Sequence, residues 1–285
     1  MPIACPLPGG GRVYSYFIDA PSPALIDAGV SGSPPGEIAT ALGERGIRLE
    51  DVRYVVNTHG HWDHLGGDAV LRERGSTLAI HSADAELLRS RDAHMRGYWG
   101  DRLSLAGKPT EPGRALILEH IAGEVEPDRL LAHGDELDLG GDVRLTVVHV
   151  PGHSAGSVAL WWEARRLLVV GDAVQGAGTT GSRCPFYVDP DAYRTSLARM
   201  EDLRAGVLCG GHEFRWGVDA AFVTGEAGVG QAFERSRAAE ALLRAAAGSR
   251  DPFDALAAPM GWDARAAAPE PLGLTLRGYF AGGSS

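Results

Sequence analysis

The sequence predicts an α/β sandwich with a metal-binding site along one strand edge. Three observations lead there. Strand-like and helix-like segments alternate from Arg12 to about His212; several apolar strands run straight into Gly- or His-bearing loops; and one of those loops, "NTHGHWDHLGG" from Asn57 to Gly67, crowds three histidines and an aspartate into six positions. Alternation of this kind builds sheets covered by helices, and loops at strand ends carry chemistry.

The elements follow in order. "RVYSYFID" alternates, and with "ALIDAG" beyond a Pro-rich turn it reads as an opening hairpin. "PGEIATALGERG" is a short helix, with Pro35 near its start, Ile38 and Leu42 on one face and Gly46 as its stop. "VRYVVNT" is β-branched and apolar, a buried strand delivering its end into the His cluster; "DAVLRERG" is helix and "STLAIH" the next strand. Residues 91–126 are aromatic-bearing, broken by Gly and Pro and weakly periodic, which reads as a lid-like insertion or channel wall. "DELDLGGDVRLTVVHV" and "SVALWWEARRLLVVGD" read as hairpins. "DPDAYRTSLARMEDLRA" is a helix capped by Asp189 and started by Pro190, with Tyr193, Leu197, Met200 and Leu203 on its apolar face. "GVLCGGH" is taken as the last strand. The catalytic domain is accordingly set at 1–218, and 219–285 is read as an Ala-rich helical extension packed on the core.

Composition narrows the function classes. The net charge of −10 argues against a nucleic-acid partner, since phosphate contacts need a basic surface. No window approaches the roughly 18 apolar residues of a membrane span. The start "MPIACPLPGG" lacks a basic head before an apolar run, so a cytoplasmic location is expected, with no membrane partner. Cys5, Cys184 and Cys209 are odd in number and widely spaced, which argues against a disulfide framework. The expected partner is a small-molecule substrate, with a homodimer as a possible assembly.

Four places put a metal-competent side chain just past a buried-looking strand: His59-Gly60-His61-Trp62-Asp63-His64, His153 in "VPGHSAGS", Asp172 in "VVGDAV", and His212 in "CGGHE". Imidazoles and carboxylates suit Zn²⁺, Fe or Mn²⁺. Alternate positions His59 and His61 can face one ion, whereas Asp63 and His64, after the turn has begun, point elsewhere. Two ions are therefore more natural than one. His59, His61 and His153 are assigned to the first, and Asp63, His64 and His212 to the second. Asp172 bridges them through its two oxygens.

HxHxDH followed in order by PGHxxGS, GDA and GHE resembles the metallo-β-lactamase superfamily over roughly residues 12 to 215, closest to its glyoxalase-II-like and lactonase-like hydrolases. The resemblance implies an αβ/βα four-layer sandwich, the metallo-β-lactamase fold, and a dinuclear centre of two divalent ions, most simply Zn²⁺, with Fe or Mn as alternatives. It also implies that Asp27, in "LIDAG", buttresses the metal loop. Zinc β-lactamases of the largest subclass carry a Cys where Asp172 stands and lack the second His of "DH", so antibiotic hydrolysis is not expected. Many acyl-homoserine-lactone hydrolases have Tyr at the position of Gln175. The glutathione-anchoring tail of true glyoxalase II is not visible.

The expected function is hydrolysis of a small-molecule thioester, lactone or related ester. Two close ions would acidify a shared, bridging water into a hydroxide nucleophile and polarise the carbonyl. Asp63 and His64 are the catalytic candidates, Asp63 orienting the nucleophile besides ligating. Asp27, Trp62, Tyr98, Trp99, Gln175, Arg183, Phe186 and Arg215 are candidates for support of the ligands or walls of the pocket, the two arginines for an anionic substrate tail. One rival is a mononuclear iron oxidoreductase like the persulfide dioxygenases. Others are a phosphodiesterase or nuclease on the same fold, and a metal-bound biosynthetic-pathway protein with a cyclase-like or binding role. His81, His94, His120, His133 and His149 match no motif position and are read as structural, His149 with some claim to support the "PGH" loop.

Overall fold

The computed structural model describes residues 1–99, 111–260, 275–276 and 278–279, with the backbone alone at 97–99 and 111–112. Its frame is two six-stranded sheets. The first contains, in spatial and chain order, β1 (Pro2–Pro6), β2 (Arg12–Ile18), β3 (Ala24–Ile26), β4 (Tyr54–Val56), β5 (Thr77–His81) and β6 (Arg129–Leu131). The second contains β7 (Glu136–Asp138), β8 (Arg144–His149), β9 (Val158–Trp162), β10 (Leu167–Gly171), β11 (Val207–Arg215) and β12 (Asp219–Thr224). Strands β3 to β6 are parallel, as are β10 and β11; the remaining pairs are antiparallel.

Side-chain alternation explains why the central strands are apolar on both faces. In β5, Leu78 and Ile80 enter the core beneath the helices of the first half, while Ala79 enters the core between the sheets. In β10, Leu168 and Val170 face the helices of the second half and Val169 the inter-sheet core. Successive strand residues point to opposite faces, so one strand serves two cores. The layers are helix, sheet, sheet, helix: the αβ/βα sandwich.

The helix Pro190–Glu201 forms as its signals predict. Asp189 accepts a hydrogen bond from Ala192 N (2.9 Å), and Tyr193, Leu197 and Met200 are buried. The hairpins β2–β3, β7–β8 and β9–β10 stand where the sequence predicts them.

Two expectations are corrected. "GVLCGGH" is not the last strand: β11 continues to Arg215 and pairs with β12, so the second sheet extends past Val218. Ala220 and Ala221 read as the onset of the Ala-rich helix, but the pairing to β11 overrides that propensity. The helix begins only at Glu226 and runs to Ala247, burying Val229, Phe233 and Leu243 in the outer core of the second half. The described parts of 91–126 are also more regular than their weak periodicity predicts. Arg91–Trp99 and Glu111–Glu119 are helical, and Met95, Ile117 and Ile121 join the outer core of the first half. The lid expectation otherwise falls on residues 100–110, outside those described. Among the described residues no helix is long and apolar enough to cross a membrane, and the three cysteines are free and buried.

Candidate metal centre

Strand ends from both sheets converge on one buried cluster. β4 ends at Val56 and releases the loop bearing His59 and His61; a one-turn helix, Trp62–Leu65, starts immediately after His61 and carries Asp63 and His64. His153 follows β8, Asp172 follows β10, and His212 lies within β11. His212 is thus not beyond a strand end: the β11–β12 pairing is interrupted between Cys209 and Phe214, and this irregularity aims it inward. Gly211 is required beside it, because a Cβ there would collide with Asp172 Oδ1 and sit 2.5 Å from His64 Cε1.

The donors gather in three groups, each within 4.8 Å: His59, His61 and His153; Asp63, His64 and His212; and His59, His64 and Asp172. His59 Nε2 and His153 Nε2 are 3.1 Å apart. His212 Nε2 is 3.2 Å from Asp63 Oδ2 and 3.4 Å from Asp172 Oδ2. Asp172 also reaches toward His64 Nε2 (Oδ1, 3.5 Å) and His153 Nε2 (Oδ2, 3.6 Å). Its carboxylate therefore stands between donors of both triplets.

The other ring nitrogens fix the tautomers. His64 Nδ1 donates to Asp27 Oδ2 (2.9 Å), His153 Nδ1 to Phe186 O (2.7 Å) and His212 Nδ1 to Arg12 O (2.7 Å). Thr58 Oγ1 donates to Asp27 Oδ2 (2.8 Å), which leaves it to accept from His59 Nδ1 (3.0 Å). With Nδ1 so engaged, each of these four imidazoles turns its Nε2 into the cluster, where it can ligate once the ring is neutral.

The electrostatics divide the rings. Burial, reinforced by the neighbouring histidines, drives His59 and His61 well below the ordinary histidine range, keeping them neutral as ligands must be. Burial opposes charge on Asp63 and Asp172, but His64 and His212 outweigh it and hold both carboxyls below their ordinary range. Burial also opposes charge on His212, and Asp172 and Asp63 overturn it, raising that ring well above the usual value.

These donors fit divalent metal. His64 Nε2 and Asp172 Oδ1 are buried without a hydrogen-bond partner, an arrangement that costs free energy unless a cation takes them up. Neighbouring nitrogens on one tetrahedral zinc stand about 3.3 Å apart, close to the His59–His153 separation.

The surrounding candidates divide. Asp27 (φ 61°) receives Thr58 N (2.7 Å) as well as Thr58 Oγ1 and His64 Nδ1, so it braces the cluster loop. Gln175 is buried; its amide donates to the carbonyls of Asp172 (2.8 Å) and Phe186 (2.5 Å) and accepts from Phe186 N (2.6 Å). It ties together the loops behind His153 and is not a pocket wall. The Phe186 ring lies 5.7 Å from His61 and 5.2 Å from His153 and lines the cluster. Trp62 is half-buried, edge-on to His120 at 6.0 Å and against the first outer core, so it packs the loop. Arg183 is exposed and contacts Thr180 O (3.4 Å), while Arg215 reaches Met260 O (3.5 Å); these contacts point them at their own loop and at the C-terminal helix Pro252–Met260. Tyr98 and Trp99 end a helix, and their side chains lie outside the described residues. His149 stacks on His81 at 4.1 Å and reaches Ala155 O (2.9 Å), contacts that steady the loop after His153.

Sequence reasoning missed Thr58, which links Asp27 to His59, and Asp84, taken up below. Asp84 carries the same signal as the ligands, an acid just past a strand, β5, but stands in no motif. Gly60, Gly66 and Gly67 have negative φ or extended backbone; a Cβ at each would collide with neighbouring chain, so close approach explains them.

Comparison with known proteins agrees with this geometry. The profile of the metallo-beta-lactamase superfamily matches residues 8–212, and the chain belongs to that superfamily. It is 38% identical over 119 residues to the acyl-coenzyme A thioesterase MBLAC2 of Gallus gallus, a match covering 42% of this chain and 40% of the relative, so the chain spans well under half the length of that relative. It is 28% identical over 235 residues to a hydroxyacylglutathione hydrolase of Methylococcus capsulatus, covering 81% of this chain and 74% of the relative. A metallo-beta-lactamase family protein from Thermus thermophilus superposes with a TM-score of 0.71 at 24% identity, covering 99% of this chain and 92% of the other, and shares the fold.

Proposed function

We propose that this protein is a hydrolase of small-molecule thioesters that works with two divalent metal ions, most simply zinc. The observation that carries the reading is the convergence of the Nε2 atoms of His59, His64, His153 and His212 around the two-oxygen carboxylate of Asp172. The thioesterase and hydroxyacylglutathione hydrolase relatives support a thioester over a lactone or another ester.

His59, His61 and His153 would hold one ion, Asp63, His64 and His212 the other, with Asp172 shared. Bound there, the ions supply Lewis-acid activation of water and of the substrate carbonyl. The protein's own groups do the rest. Asp63, its carboxyl held below the ordinary range by His64 and His212, would offer an ionised oxygen to orient the attacking water. Asp27, Thr58, Phe186 O and Arg12 O fix the imidazoles before substrate arrives, so no reorganisation is needed at the moment of reaction. Phe186 gives the cluster an apolar wall that limits water on one side.

The test is elemental analysis of the purified protein combined with thiol release from acyl-coenzyme A and acyl-glutathione substrates, with lactones alongside. About two metal ions per chain, thioester turnover, and loss of turnover on chelation with recovery on adding metal are expected. A fully loaded protein that turns over nothing in the panel overturns the reading.

A further inference from the structure

Asp84 stands at the N-cap position of the short helix Ala85–Arg89 yet makes no capping hydrogen bond to it. Aspartate at such a position ordinarily caps its own helix. Here the carboxylate is turned away, 1% exposed, and spent on two other loops. Its Oδ2 accepts from Gly60 N (2.8 Å) and from Ser154 Oγ (2.6 Å), and its Oδ1 from Gly156 N (2.7 Å). Gly60 lies between His59 and His61; Ser154 and Gly156 follow His153. One side chain thus joins the two loops, from different sheets, that supply all three histidines of the first triplet.

The glycines make this contact possible. A Cβ on Gly156 would lie 2.6 Å from Asp84 Cγ, and one on Gly60 would lie 3.1 Å from Asp84 Cβ and 2.6 Å from Leu87 Cδ1. The backbone N–H groups reach the carboxylate only because nothing projects between them. Ser154 is itself aligned: its N–H donates to Ser157 Oγ (3.0 Å), and the two hydroxyls are 2.8 Å apart.

We propose that Asp84 is the positioning residue of the three-histidine site, clamping the His59–His61 loop to the His153 loop so that His59 Nε2 and His153 Nε2 face each other at 3.1 Å. The second triplet does not depend on it in the same way, because His64 is held by Asp27 and His212 by Arg12 O. This inference rests on the metal reading above and adds a residue that belongs to none of the ligand motifs.

Asp84→Asn discriminates. An amide keeps one acceptor oxygen and turns an NH2 either toward Gly156 N or toward Gly60 N and Ser154 Oγ, so at least one of the two loops loses a backbone bond to it while volume is conserved. Zinc titration of the metal-free protein is expected to show a weakening of about 10- to 100-fold in one binding step. Anomalous scattering from crystals at limiting zinc is expected to show occupancy lost beside His59, His61 and His153 and retained beside His64 and His212. Ser154→Ala removes one of the three bonds and is expected to weaken the same site by less; it decides the matter should Asp84→Asn fail to fold. A wild type that binds two ions, with variants that keep wild-type affinity at both or weaken both equally along with the melting temperature of the metal-free protein, overturns the positioning role. A wild type that binds no metal overturns the metal reading, and this inference with it.

Discussion

His59 Nε2 and His153 Nε2 face each other at 3.1 Å, with both Nδ1 atoms committed as donors, to Thr58 Oγ1 and Phe186 O. Two neutral imidazoles so arranged present lone pair to lone pair, which is repulsive unless a cation lies between them. A metal ion held between them is therefore expected to stabilise the folded protein. Chelation is expected to lower the melting temperature and zinc to restore it. At free metal about 1,000-fold above Kd, each ion contributes about 4 kcal/mol, which for a chain of this size shifts the midpoint on the order of 10 °C. A melting temperature indifferent to chelator and zinc would contradict the arrangement.

Asp172→Ala should abolish metal-dependent turnover and lower metal content below two per chain together, because the carboxylate approaches His64, His153 and His212 at once. Metal content and thiol release measured on one preparation check this. Full loading with near-normal turnover would place the shared oxygen elsewhere.

Gly211→Ala tests the geometry without touching a donor. The added methyl would meet Asp172 Oδ1 and His64 Cε1, and neither can retreat: His64 is fully buried and anchored to Asp27. Loss of metal affinity by at least about 10-fold is expected, together with a loss of stability of the metal-free protein of about 1–3 kcal/mol from the overpacked methyl. Unchanged affinity would mean that the two side chains have freedom the structure does not show.

The pattern of what could be read in advance has a physical basis. The strands β4, β5 and β10 were legible because a strand that serves two cores must be apolar throughout, and such runs stand out. The seven donors were legible because metal demands specific side chains, and His59, His61 and His64 are crowded into one turn. Strand β12 was not, since Ala220 and Ala221 carry a helical preference that only pairing to β11 overrides. Asp84 and Thr58 were hidden for another reason: each acts by a hydrogen bond to a residue far away in the chain or in a loop of irregular shape, and no local periodicity records that. Gln175 was legible as a site neighbour but not in its role, because its position three residues after Asp172 does not disclose that its amide turns back to Phe186.

Asp68 gives a dependence on pH whose sign follows from its surroundings. It is fully buried; burial, with Asp27 adding to it, holds its carboxyl well above the ordinary range against the pull of the Asn57 amide, which donates to Oδ2 at 2.5 Å. The folded protein therefore keeps this proton at pH values where the unfolded chain, titrating near the usual value of about 4, has lost it. Folding then takes up a proton, so the contribution of Asp68 is fully present below about pH 4 and is lost as pH rises toward and through the raised folded value. Asp68→Asn imitates the protonated acid, with one acceptor for Asn57 Nδ2 and one donor group, and removes the titration. In metal-free protein, so that proton release by metal ligands does not intrude, the difference in melting temperature between Asp68→Asn and the parent is expected to move in favour of the variant between pH 5 and pH 8. Calorimetry at the two pH values decides it: a difference that stays constant, or that shifts toward the parent at pH 8, would show that Asp68 is ionised in the folded protein.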